Sequence, residues 1–136
     1  MLNRLTDTLD FQSQALGLRS QRQRLIASNI ANADTPGYVA RDLDFRQALR
    51  DATGTAPARA LAATQDAHIG SHGARGGALR EGDLVYATAS QTNLDRNTVD
   101  MDRERASFAD NSVKYEATLR FINGSVRTML EAIKGQ

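Results

Sequence analysis

Cysteine and tryptophan are both absent from this chain of 136 residues, and aromatic residues make up only 5% of it. Without cysteine there is neither a disulfide framework nor a thiolate metal site, so an oxidising or a reducing compartment suits it equally. With few aromatics and 40% hydrophobic residues, the material for a compact core is thin. No run approaches the ~20 apolar residues of a membrane span, which argues against direct membrane insertion. No charged segment leads into an apolar stretch and a small-residue cleavage site, so a Sec signal is not indicated. The chain is expected to stay in the cytoplasm or to leave by a route that reads no cleavable signal. Net charge is only +1, which gives no electrostatic footprint for nucleic acid or an anionic membrane.

What the chain does have is helical periodicity at both ends. Phe108, Ser112, Tyr115, Leu119, Ile122, Val126, Met129 and Ile133 follow each other at alternating spacings of four and three. A straight helix drifts slowly against a seven-residue repeat, so a seam this long calls for a partner helix wound along it. A helix from about Asp102 to Lys134 would be roughly 50 Å long, against a radius of gyration of about 14 Å for a compact domain of this size. Elongation follows.

The first thirty residues offer the partner. Leu2, Leu5, Leu9, Leu16, Ile26 and Ile30 lie on one stripe, interrupted by Gln12, Arg19 and Gln23, while Phe11, Ala15, Leu18 and Leu25 form a second stripe beside it. Two readings of that second stripe stand: contact with a helix of a neighbouring chain, or cover by a loop of the same chain. Polar residues within a seam are tolerated where a partner satisfies them.

Between the helices, residues 51–83 hold six of the ten glycines but only Leu61, Ile69 and Leu79 as large apolar residues. Such a stretch buries too little surface to offset its ordering entropy, and His72 to Gly77 is its most flexible part. Leu84 to Ala89 has the makings of a short strand. The boundaries are sharper. Asp34-Thr35-Pro36-Gly37 ends the first helix near Asn32 and suits a type II turn. Asp100 is placed to cap the second helix, with Asp102 and Glu104 in the first turn where the helix dipole favours acids.

Signals for catalysis are poor. His68 and His72 have metal-ligand spacing for a helix face, but the neighbouring glycines argue against a helix and no third ligand is evident. Asp100, Asp102 and Glu104 are better explained as helix-start residues than as acid–base pairs. Arg19, Arg22 and Arg24 form a basic patch that a solvated face or salt bridges to a neighbouring chain would explain. No phosphate loop or nucleophile-plus-base pattern is present. The expectation is a protein that is not an enzyme and takes no cofactor, metal or small-molecule substrate.

The run Ala27-Ser28-Asn29-Ile30-Ala31-Asn32-Ala33-Asp34-Thr35-Pro36-Gly37-Tyr38, extended by Ala40-Arg41-Asp42-Leu43-Asp44-Phe45, closely resembles the N-terminal signature of flagellar rod, hook and hook-associated proteins. Asn97 to Glu104, with Asn111 and Tyr115, is similar to the C-terminal signature of proximal-rod members, and Thr64 and His68-Ile69 carry the likeness into the middle. Arg96 departs from the pattern, which commonly has Gly there; this bears on the turn type. The resemblance implies a structural subunit of the bacterial flagellar basal body, part of the periplasmic rod that serves motility as drive shaft and export channel. It implies export through the flagellar type III apparatus and helical packing with other copies of itself and other rod proteins, near FliE and the export gate. A soluble coiled-coil adaptor or secretion chaperone is the alternative.

The expected fold is mainly α. Long terminal helices pair as an elongated coiled-coil-like hairpin around a loop-rich middle with room for a short strand or hairpin. Residues 1–50 hold the first helix and turn, 51–97 the middle and 98–136 the heptad helix, the first and last forming one discontinuous helical domain. The expected family turn residues are Asn29, Asn32, Thr35, Pro36, Gly37 and Tyr38. The expected assembly seam comprises Leu9, Leu16, Ile26, Ile30, Phe108, Tyr115, Leu119, Ile122, Val126, Met129 and Ile133.

Overall fold

Two long helices run side by side in the computed structural model, which describes residues 2–54, 84–86 and 94–135. Helix α1 spans Leu2–Ala31; strand β1, Arg41–Leu43; helix α2, Phe45–Ala52; strand β2, Leu84–Tyr86; and helix α3, Met101–Lys134. Following α1 backward from Asn29 to Gln23 follows α3 forward from Glu104 to Ser112, so the pair is antiparallel. At 34 residues α3 is about 50 Å long. The protein is mainly helical, with long N- and C-terminal helices and a small two-stranded antiparallel sheet between them.

The helix ends follow local chemistry. Asp100 is the N-cap of α3, its carboxylate accepting from the backbone N–H groups of Asp102 and Arg103 at 3.1 and 3.2 Å. Gly135 closes the same helix at φ 71°, a left-handed conformation suited to a residue without Cβ. On the outer face of α3, ion pairs join Asp110 to Lys114, Glu116 to Arg120 and Arg127 to Glu131, each four residues apart. Each adds a few tenths of a kcal/mol, roughly, to an exposed helix.

Two elements differ from the sequence-based expectation. Strand β1 lies just beyond the turn and pairs with β2 in the register Arg41 with Tyr86 and Leu43 with Leu84. Helix α2 follows at once, capped by Asp44, whose side chain accepts from Gln47 N–H. Leu18, Leu43 and Ala48 form the core there, with Leu25, Phe45 and Leu49 packed against it. Leu18 and Leu25 of the second stripe of α1 are therefore covered by the chain's own β1 and α2, while Phe11 of the same stripe stays exposed. The expectations placed on Thr64, His68, His72, the Gly73–Gly77 region and residues 87–89 lie outside the described residues.

Candidate functional site

The turn that leaves α1 is built by side chains on backbone. Tyr38 N–H donates to the Thr35 carbonyl at 3.2 Å, and Gly37 has φ 72°, so Pro36 and Gly37 occupy the two corners that a type II turn reserves for them. Asn32 donates from Nδ2 to the Ser28 carbonyl at 2.8 Å, completing the last turn of α1, and its Oδ1 accepts from the Thr35 hydroxyl at 3.3 Å. Neither Asn29 nor Asn32 is left-handed; both work through their amides.

Asn29 is buried and reaches sideways. Its Nδ2 donates to the Arg41 carbonyl at 2.8 Å and to Glu104 Oε2 at 3.2 Å, while Oδ1 accepts from Arg41 N–H at 3.1 Å and from the Tyr38 hydroxyl at 3.3 Å. One amide thus joins α1, the turn, β1 and α3. Tyr38 is half-buried, with its hydroxyl engaged by Asn29 and by Ser28 at 3.2 Å within its own chain.

Asn97 completes this end of the hairpin. Its Nδ2 lies 2.9, 2.7 and 2.9 Å from the carbonyls of Asn32, Ala33 and Thr35, holding the turn that follows α1, and its Oδ1 accepts from Val99 N–H at 2.8 Å. The same segment runs beside the turn, with Gly37 N–H on the Asp95 carbonyl, Thr98 N–H on the Tyr38 carbonyl and Ala40 N–H on the Thr98 hydroxyl. Arg96 sits between Asp95 and Asn97 at φ 56°, the one non-glycine with positive φ among the described residues. That backbone is where glycine is least strained, which accounts physically for glycine in the resembled pattern and leaves Arg96 in a costlier conformation.

Two of the three arginines of the basic patch, Arg19 and Arg22, make contacts within the chain, while Arg24 is exposed. Arg22 makes two parallel hydrogen bonds to Asp42, Nε to Oδ1 at 2.9 Å and Nη2 to Oδ2 at 2.8 Å, and these push its guanidinium further up. The Arg19 guanidinium stacks 4.4 Å from the centroid of Phe45. Burial pushes the Glu104 carboxyl above its ordinary value, against the opposing pull of the Asn29 hydrogen bond. Arg22, Asn29, Asp42 and Glu104 line a polar cavity of about 80 Å³, room for very few waters. Among the described residues no group of three His, Cys, Asp or Glu could hold a metal ion, and no helix is long and apolar enough to cross a membrane.

The seam residues divide. Ile26 is fully buried; Leu9, Leu16, Ile30, Tyr115, Leu119, Ile122 and Met129 are half-buried; Phe108, Val126 and Ile133 are exposed. The polar interruptions meet across the seam: Gln23 Nε2 donates to Ser112 Oγ at 2.7 Å. Sequence reasoning missed Asn97 as the clamp on the turn after α1 and Asp42 as the partner of Arg22. Only the likeness of 97–104 to a family signature drew attention to the first, and nothing local signals the second.

Residues 9–38, which run from the middle of α1 through this turn, match the family described as Flagella basal body rod protein. The whole chain is 46% identical over 139 residues to the flagellar basal body rod protein FlgB of Proteus mirabilis (strain HI4320), covering 98% of each. The chain belongs to the FlgB family of flagellar basal body rod proteins. Identity to the FlgB of Salmonella typhimurium is 46% over 142 residues, with 99% of each covered, and to that of Escherichia coli (strain K12) 45% over 143 residues, with 98% of each covered. Membership makes the chain a structural subunit of the flagellar basal body rod, and the adaptor or chaperone alternative is not favoured. Residues Asn29 to Tyr38 lie within the segment matched to the rod family, while their partners Arg41, Asn97 and Glu104 lie beyond it.

Proposed function

We propose that the subunit joins the rod through its terminal helices, with 1–50 and 98–136 acting as one discontinuous helical domain whose seam continues from chain to chain. The carrying observation is incomplete burial. Phe11 of α1 is 48% exposed, and Phe108, Val126, Leu130 and Ile133 of α3 are 39, 41, 49 and 72% exposed. A row of apolar residues along a paired helix, left partly in water, is surface that association with like helices would bury at about 25 cal/mol per Å². The neighbours are other copies and other rod proteins, with FliE and the export gate at the inner end. The subunit travels through the flagellar type III apparatus without a cleaved signal. Absence of disulfides and a scant core favour passage of an unfolded chain. The turn at Asn29 to Tyr38 sets where the backbone leaves the helical tube.

Ile122→Asp tests this reading. Ile122 is half-buried on the seam, where an unpaired carboxylate costs several kcal/mol or is protonated at part of that cost. The variant should be made and exported, yet leave cells without rods and unable to swim. Arg120→Asp removes only an exposed ion pair with Glu116 and should cost under about 1 kcal/mol. Normal rods with Ile122→Asp, or equal loss from both variants, would overturn the assembly role of the seam.

A further inference from the structure

Asn111 lies in the middle of the α1–α3 seam and is fully buried. Its Nδ2 donates to the Arg19 carbonyl at 2.9 Å and to Gln23 Oε1 at 2.6 Å, and Gln23 passes the chain of bonds on to Ser112 Oγ at 2.7 Å. The Asn111 Oδ1 has no hydrogen-bond partner among the described residues. Leucine, similar in length, would bury more apolar surface and remove the unpaired Asn111 carbonyl, at the cost of the donor to Gln23 Oε1, so packing alone does not call for an amide here.

Register explains it. Apolar stripes spaced four and three are nearly self-similar after a slip of seven residues, since apolar contact is non-directional and one aliphatic residue replaces another. The amide contact is directional. A slip of one heptad puts either Leu16 or Ile30 where Gln23 stands, and both leave the buried Asn111 amide without its side-chain acceptor. We propose that Asn111 and Gln23 form a register key: they act as positioning residues that select one antiparallel alignment of α1 on α3 over alignments slipped by a heptad. The alignment fixes the height of the Asn29 and Asn97 turn relative to the exposed seam, and so gives every copy the same surface.

Disulfide trapping in the full chain tests the key. Since Gln23 faces Ser112, Leu16 lies one heptad along at the level of Leu119. The pair Leu16→Cys with Leu119→Cys therefore reports the observed register. Leu9→Cys with Leu119→Cys, and Leu16→Cys with Val126→Cys, report the two slips. The parent chain should oxidise the first pair at least about tenfold more than either other, the factor that one unpaired buried amide imposes. Asn111→Leu should bring the three pairs to within about threefold while helicity by circular dichroism is kept, since it adds apolar burial. The exchange Asn111→Gln with Gln23→Asn keeps an amide pair of the same total length and should restore the preference. Retention of the tenfold preference in Asn111→Leu would overturn the proposal, as would its absence in the parent. So would failure of the exchange variant to restore it, or loss of helicity in both variants.

Discussion

Ile26, Asn29 and Asn97 are buried at the turn end of the hairpin, where Asn29 bonds Tyr38, Arg41 and Glu104 and Asn97 bonds the carbonyls of Asn32, Ala33 and Thr35, whereas Val126, Leu130 and Ile133 at the other end of α3 are left partly in water. The first region uses directional bonds that a single chain can complete, because α1, the turn, β1 and the start of α3 all converge there. The second has only two helices, and two cylinders side by side cannot bury more than one narrow face each. The contrast separates what a subunit finishes alone from what it leaves for neighbours.

The sharpest way to break this contrast is to cut the same side chain at both ends. Ile26→Ala removes fully buried methylenes and should cost about 3 kcal/mol, whereas Ile133→Ala, at a residue 72% exposed, should cost under about 0.5 kcal/mol in the isolated chain. Urea unfolding followed by helicity reads both; equal losses would mean that the two ends are alike. Asn97→Ala should follow at about 2 kcal/mol, because it strips the donor from three carbonyls of the turn that follows α1. Faster amide exchange confined to residues near 29–38 is the accompanying sign. Exchange spread evenly along α1 would contradict a local clamp.

Arg96→Gly should act in the opposite direction. It relieves a left-handed arginine, offset in part by the greater freedom of glycine in the unfolded chain, for a net gain of about 0.5 kcal/mol. A lower melting temperature would show that the Arg96 side chain makes up for its backbone. The smallest effect belongs to Glu104. Burial raises its carboxyl above 4.5, so the folded chain holds the proton more tightly than the unfolded one. Its contribution is therefore full below the ordinary value and is lost as pH rises through the raised one. Glu104→Gln should gain on the parent as pH rises above the ordinary carboxylate range, by a few tenths of a kcal/mol, roughly, because the group is partly exposed. A parallel pair of stability curves would refute it. Asp110, which is fully exposed, runs the other way: its hydrogen bond to Lys114 lowers its carboxyl, and that contribution is lost as pH falls.

Local signals carried far in this chain. The four-three spacing of α3, Asp100 as its cap, the end of α1 near Asn32 and the Pro36-Gly37 turn each depend on residues within a few positions of one another. Helix α2 escaped because its eight residues are too short for periodicity to stand out, although Asp44 before Phe45, Ala48 and Leu49 at helical spacing was a usable sign. Strand β1 has three residues and exists through its pairing with β2, more than forty positions away.

By itself the sequence determined the periodicity, the caps, the turn and, through its motif, the family, because each is a matter of local conformation or residue order. The tertiary structure alone decided that Asn97 holds the turn after α1, that Arg22 binds Asp42, and that the Tyr38 hydroxyl bonds Asn29 and Ser28. It also decided that α2 covers Leu18 and that Asn111 meets Gln23. These contacts join residues as much as 88 positions apart. Such pairs arise only when α1 and α3 come together in one register, and no local pattern states which register that is.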